Sequence, residues 1–168
     1  MGAVPGRSTR SLGLMYPRNY LLGAIVIAVS TLSMAANYST PENALKALED
    51  AYIRKDIEAA VAAKDFTFEA REMLRALKNL PSPDEELVRK TAEVLELSFR
   101  KQMKQDGFPD FTGLRCAVVK SAEIEPGLSE MIEECVFPDG GKSRDTMHAA
   151  KGKAGWRIVT LPPNRKRT

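Results

Sequence analysis

The 168-residue sequence is poor in the side chains that carry most enzyme chemistry: it holds two cysteines, one histidine and one tryptophan. Cys116, Cys135 and His148 together offer too few ligands for a zinc site, so no metal is expected. Ser/His/Asp arrangements, P-loops, G-x-G-x-x-G, H-E-x-x-H and EF-hand patterns are missing as well. No motif names a reaction or a cofactor, and none is expected to act. Long apolar runs are equally scarce, because the only one is LLGAIVIAVSTLSMAA at residues 21 to 36.

That run reads as part of a leader. Arg7, Arg10 and Arg18 are the only charged residues before position 40, and they precede an apolar stretch from Tyr20 to Leu32 that ends in Ser33-Met34-Ala35-Ala36. Basic, then apolar, then small is the order of a secretory signal peptide. Ser33 and Ala35 occupy the two positions that must be small, which predicts cleavage after Ala35, with Ala36 as the alternative and Met15 as an alternative start. No cysteine stands at the cut, which argues against a lipoprotein. A retained anchor would need roughly 20 mostly apolar residues; Ser30, Thr31 and Ser33 interrupt this shorter run. Contact with a membrane is expected only if the leader stays.

Residues 36–168 form the expected single domain, long enough for one core. Removing the three leader arginines from 25 Lys+Arg leaves 22 against 22 Asp+Glu. A neutral domain gives no reason to expect nucleic acid as partner. Arg165-Lys166-Arg167 at the end reads as a short solvated tail.

Export places Cys116 and Cys135 where disulfides form and persist. Both sit in strand-like runs, Leu114 to Val119 and Met131 to Phe137, separated by the turn signal Glu125-Pro126-Gly127. A register with Glu123 opposite Leu128 brings Cys116 opposite Cys135, so a structural disulfide is predicted. A redox pair would call for closer spacing such as C-x-x-C.

The mature chain opens with helices. Thr40 is the predicted N-cap of a first helix with Pro41 at its first position and Leu45, Leu48 and Tyr52 on one face. Asp56 caps a short second helix, and Ala70, Met73, Leu74, Leu77 and Leu80 mark a third that ends before Pro81. Ser82 is the expected cap of the longest helix, whose stripe of Val88, Ala92, Leu95, Phe99 and Met103 is expected to pack across a sheet. After Asp106-Gly107 the β-branched and aromatic content rises, and four antiparallel strands are predicted near 114–124, 129–137, 144–151 and 155–161. Helices first and a meander second make an α+β domain. Phe-Pro-Asp occurs at 108–110 and 137–139, each time where an element ends, and reads as punctuation.

Ser39-Thr40-Pro41-Glu42-Asn43-Ala44-Leu45, the step Ala51-Tyr52-Ile53-Arg54-Lys55-Asp56-Ile57, and the closing Gly152-Lys153-Ala154-Gly155-Trp156-Arg157-Ile158-Val159 resemble the NTF2-like (cystatin-like α+β) superfamily. The resemblance is one of fold and covers about a quarter of the mature chain. It implies a cone of N-terminal helices on a curved four-stranded antiparallel sheet, with ligands bound at the mouth of the cone. Family members usually carry a short strand pair before the long helix, where residues 66 to 80 here read as helical.

His148, the lone histidine, reads as an ordinary surface or half-buried strand residue, and no catalytic residue is expected; as a general base it would need an orienting carboxylate, for which Asp110 and Glu134 are the candidates. Glu133 and Glu134 point to opposite faces of a strand and cannot act on one atom; one is expected to meet solvent and the other Arg115 or Lys120. Trp156 reads as a core anchor. The resemblance implies either an exported, non-enzymatic protein-binding module of the bacterial envelope, such as an immunity protein or accessory subunit, or a small-ligand carrier or isomerase/dehydratase-like protein using the cone. The expected partner is another envelope protein and the expected location periplasmic or secreted. A membrane-anchored subunit facing the periplasm is the third possibility.

Overall fold

The computed structural model describes residues 36–78 and 83–163. The expected leader, Ser82 and the basic tail lie outside the described residues. Four helices precede four strands: α1 (Pro41–Ile53), α2 (Ile57–Ala62), α3 (Phe66–Lys78), α4 (Glu85–Gln105), β1 (Arg115–Glu125), β2 (Leu128–Val136), β3 (Lys142–Gly152) and β4 (Gly155–Val159). The strands form one antiparallel sheet in the order β1-β2-β3-β4, so the domain is α+β as its sequence predicts.

Local chemistry sets each helix start. The Thr40 hydroxyl accepts from the Asn43 N–H at 3.2 Å with Pro41 in the first turn, and the Asp56 carboxylate accepts from Ala59 at 3.0 Å. Asp65 does the same for Phe68 at the start of α3. Helix α4 begins at Glu85 with Asp84 as its cap, accepting from Leu87 at 3.0 Å. The sequence pattern predicts that cap at Ser82; Asp84 takes the role because a carboxylate one residue before the first turn reaches the free N–H groups and also complements the helix dipole.

Helix α1 lies on the sheet. Its Ala44 and Ala51 are fully buried and let it approach closely, while Leu45 and Leu48 fill the space above Met131, Ala149 and Ile158. The longest helix does not take this place, contrary to expectation: α4 packs on α3 and α2. Its apolar stripe is matched by that of α3, so that Val88 and Ala92 join Phe66, Ala70 and Leu74 in a second core. Tilted packing of Phe66 on Phe99, with centroids 5.7 Å apart, marks the antiparallel pairing, and Nη2 of Arg71 meets both carboxylate oxygens of Glu85 at the surface.

Between α2 and α3 the chain is sewn to β4. Ile158 donates to the Ala63 carbonyl at 2.9 Å, Asp65 donates to the Ile158 carbonyl at 3.1 Å, and Lys64 forms a parallel bridge with Ile158. Further along the same free edge of β4, Trp156 donates to the Tyr38 carbonyl at 2.8 Å. A Cβ on Gly155 would come 2.5 Å from that same oxygen, so only glycine fits. Trp156 itself is half-buried against the first core.

Cys116 faces Cys135 in the β1–β2 ladder and the two form a disulfide. The expected pairing holds at the cysteines but not at the turn. Two irregularities in β1, between Val118 and Lys120 and between Glu123 and Glu125, bring Glu125 opposite Leu128 and Glu123 opposite Ser129. Each bulge consumes one residue of β1 without one of β2, so the turn closes tightly on Pro126-Gly127, with Gly127 at φ 75°. Replacing both cysteines by serine releases a closed loop of sequence separation 19 and is expected to lower the unfolding free energy by about 3 kcal/mol in the chain-entropy account, measured as a shift of the urea midpoint with unchanged slope.

Candidate functional site

A cavity of about 520 Å³ lies between α3, α4 and the chain leaving β4. Its walls are mostly apolar: Met73, Ala76 and Leu77 come from α3, Leu95 and Phe99 from α4, and Leu161 from the segment after β4. Leu77, 73% exposed, stands at its lip.

Lys64 and Glu69 are the only charged side chains among its described lining residues, and they meet each other. The Lys64 ammonium lies 2.8 Å from Glu69 Oε1, with each side chain only 9% exposed. Glu69 Oε1 also accepts from the Thr160 N–H at 2.8 Å. Lys64 Nζ reaches Thr160 Oγ1 at 3.4 Å and lies 5.5 and 5.6 Å from the ring centroids of Phe66 and Phe99. Burial of such a pair is tolerated because both partners have further polar or aromatic contacts. Tyr52 lies within the field of Glu69; burial first, and that negative charge second, push its hydroxyl up to about 12.

A second polar cluster sits under α1. Glu49 shares a hydrogen bond with Glu133, which is buried on the helix-facing side of β2 between Met131 and Cys135. Burial, then the neighbouring Glu133, push the Glu49 carboxyl up to about 8. Its Oε1 is buried with no hydrogen-bond partner among the described residues. The donor atoms of Cys116, Glu133 and Cys135 lie within 4.8 Å of one another. With the sulfurs joined in the disulfide, this group offers no thiolate and is not a metal-binding set.

The residues singled out from sequence lie elsewhere. His148 is half-buried on the opposite face of the sheet, where Nε2 is 3.6 Å from Oε2 of Glu130, its direct neighbour on β2. Neither expected carboxylate is the one that meets it. Asp110 accepts from the Thr112 N–H at 2.8 Å in an exposed loop beside Tyr52, Phe108 and Phe111, and those hydrogen bonds hold its carboxyl below the usual range. Glu134 pairs with Lys142 at 3.0 Å. The Glu133–Glu134 pair does split between faces as expected, but Glu133 meets Glu49 and Glu134 meets Lys142, not Arg115 or Lys120. Neither His148 nor Asp110 lines the α3–α4 cavity.

Two signals could have led to the residues that do cluster. Glu49 sits within the apolar arc of Leu45, Leu48 and Tyr52, and Glu133 has apolar residues two positions away on either side. Acids in such places are buried by the pattern that buries their neighbours.

No family model matches the sequence, and no curated protein is similar to it. Solved structures are. A Campylobacter jejuni protein provisionally named an NTF2-like transpeptidase is 14% identical, with a TM-score of 0.37 over 73% of this chain and 99% of that one. An NTF2-like protein of unknown function from Shewanella oneidensis is 13% identical, at 0.37 over 69% and 89%. A domain of unknown function with a cystatin-like fold from Nostoc punctiforme is 16% identical, at 0.36 over 76% and 75%.

The Glu49 shift has a pH signature. A carboxyl near 4.5 in the unfolded chain and near 8 in the folded one means that the folded state retains a proton the unfolded state has released. The stabilising contribution is complete below pH 4.5 and is lost as pH rises through 8. The melting temperature is therefore expected to fall between pH 5 and 8.5, and Glu49→Gln to flatten that fall; an equal fall in the variant would assign it to other groups.

Proposed function

We propose that the chain is an exported, non-enzymatic binding domain that takes a small apolar molecule in the cavity between α3 and α4. The observation that carries this reading is the cavity itself. Its volume of about 520 Å³ lies within the range of small-molecule sites, and its apolar walls with a few polar groups at one place match their chemistry. The lining residues support binding more than proton transfer, because Lys64 and Glu69 are committed to each other. General acid-base work needs a group free to exchange a proton with substrate. The Cys116–Cys135 bond supports an oxidising compartment, in keeping with the leader, and favours the periplasm or the exterior as location.

A second reading, docking of another envelope protein as an immunity protein or accessory subunit would do, is favoured by a different surface. Arg115, Lys120 and Arg144 stand exposed on the sheet face away from α1, without an ion pair among the described residues.

The environment-sensitive dye 1-N-phenylnaphthylamine separates these readings. Titration into the purified oxidised protein is expected to give a saturable rise in fluorescence at one dye per chain, and Ala76→Trp, which fills the cavity, is expected to abolish it with little change in melting temperature. A dye response absent from the parent, or unchanged in the variant, would refute the cavity as binding site. Export has its own check: the protein from the envelope should begin near Ala36 and be lighter by two hydrogens before reduction.

A further inference from the structure

The cavity is polar at one end and apolar at the other. Because α3 and α4 run antiparallel, with Phe66 on Phe99 and Arg71 on Glu85, the start of α3 lies beside the end of α4. Ser98 and Gln102 of α4 therefore share an end of the cavity with Lys64, Glu69 and Thr160, whereas Met73, Ala76 and Leu77 lie toward the other end with Leu95. Ser98 and Gln102 are exposed, and the described structure gives their side chains no partner.

The charge at the polar end is already cancelled. Lys64 is held by Glu69 at 2.8 Å, by Thr160 and by two aromatic rings, and Glu69 is held by Lys64 and the Thr160 amide. An anionic head group would have to draw Lys64 from this set and leave Glu69 buried without its counter-ion; a cationic one would do the reverse. Either exchange is unfavourable where both charges are desolvated. An uncharged hydrogen-bonding group meets no such barrier. The amide of Gln102 and the hydroxyl of Ser98 can each donate or accept.

We propose that the ligand is a neutral amphiphile, with a hydroxyl or amide head placed against Ser98 and Gln102 beside the closed Lys64–Glu69 pair and an aliphatic tail running past Met73 toward Leu77. This proposal rests on the cavity being the binding site and adds the chemical class and the orientation of what it holds.

The test is displacement of bound 1-N-phenylnaphthylamine from the purified oxidised protein at pH 7 by 1-decanol, decanoate and decylammonium, which share one tail and differ in head charge. Decanol is expected to displace the dye at concentrations at least tenfold lower than either ion. Gln102→Leu is expected to weaken decanol about fivefold, the worth of one neutral hydrogen bond, after the displacement curve is corrected for the dye affinity measured directly in the variant. Equal displacement by all three would mean that the heads stay in water and would overturn the proposal, as would a preference for decanoate. Dye bound without discrimination refutes the ligand class alone, whereas a protein that binds no dye refutes the cavity and the ligand class together. Ser98→Ala, on an exposed helix position, provides a second variant should Gln102→Leu fold poorly; an unchanged decanol affinity in both would also overturn the orientation.

Discussion

The suture between Ala63–Asp65 and Ile158 governs the arrangement of the helices. Two backbone hydrogen bonds, which together make the parallel bridge between Lys64 and Ile158, hold the α2–α3 junction along β4, so α3 leaves from the flank of the sheet and not from above it. Helix α4 follows α3 back through their shared apolar stripe, which is why the longest helix packs in a second layer while α1 lies on the sheet, with Ala60 of α2 in the same core and Phe68 of α3 against Leu128, Ala150 and Val159. The same suture delivers Lys64 and Thr160 to one place. A polar cavity floor is thereby built from residues 96 positions apart.

Local elements were legible because their causes are local. Thr40-Pro41 and Asp56 carry their own capping chemistry, and the strands are bounded by glycine and proline turns. Register was legible at Cys116 and Cys135 but not at the hairpin end, since bulges leave no mark in a pattern of alternating residues. The placement of α4 was not legible either. An apolar stripe says that a face is covered without saying by what, and Val88, Ala92 and Phe99 would suit a sheet as well as they suit α3.

The candidate site lay further out of reach. His148 stands out in the sequence only by being rare, and rarity says nothing about which face of a strand a side chain takes; its register partner is Glu130. Lys64 and Glu69 are common residues five apart, separated by a helix start, and only the close approach of β4 makes them a buried pair. The acids Glu49 and Glu133 were more nearly readable, each standing among apolar neighbours at its element's own period. Recognising them as a pair needed the contact between α1 and β2.

The two irregularities in β1 bear on how this domain can be recognised at all. An unpaired edge strand is a template on which another chain can add a strand of its own. At β4 that template is already occupied by residues 63–65, and along β1 the bulges at Val118/Lys120 and Glu123/Glu125 break the run of evenly spaced donors and acceptors that an incoming strand would need. Strand addition is thus disfavoured on both sides of the sheet. Docking of another chain would then rest on side chains, and the same features disfavour edge-to-edge self-assembly.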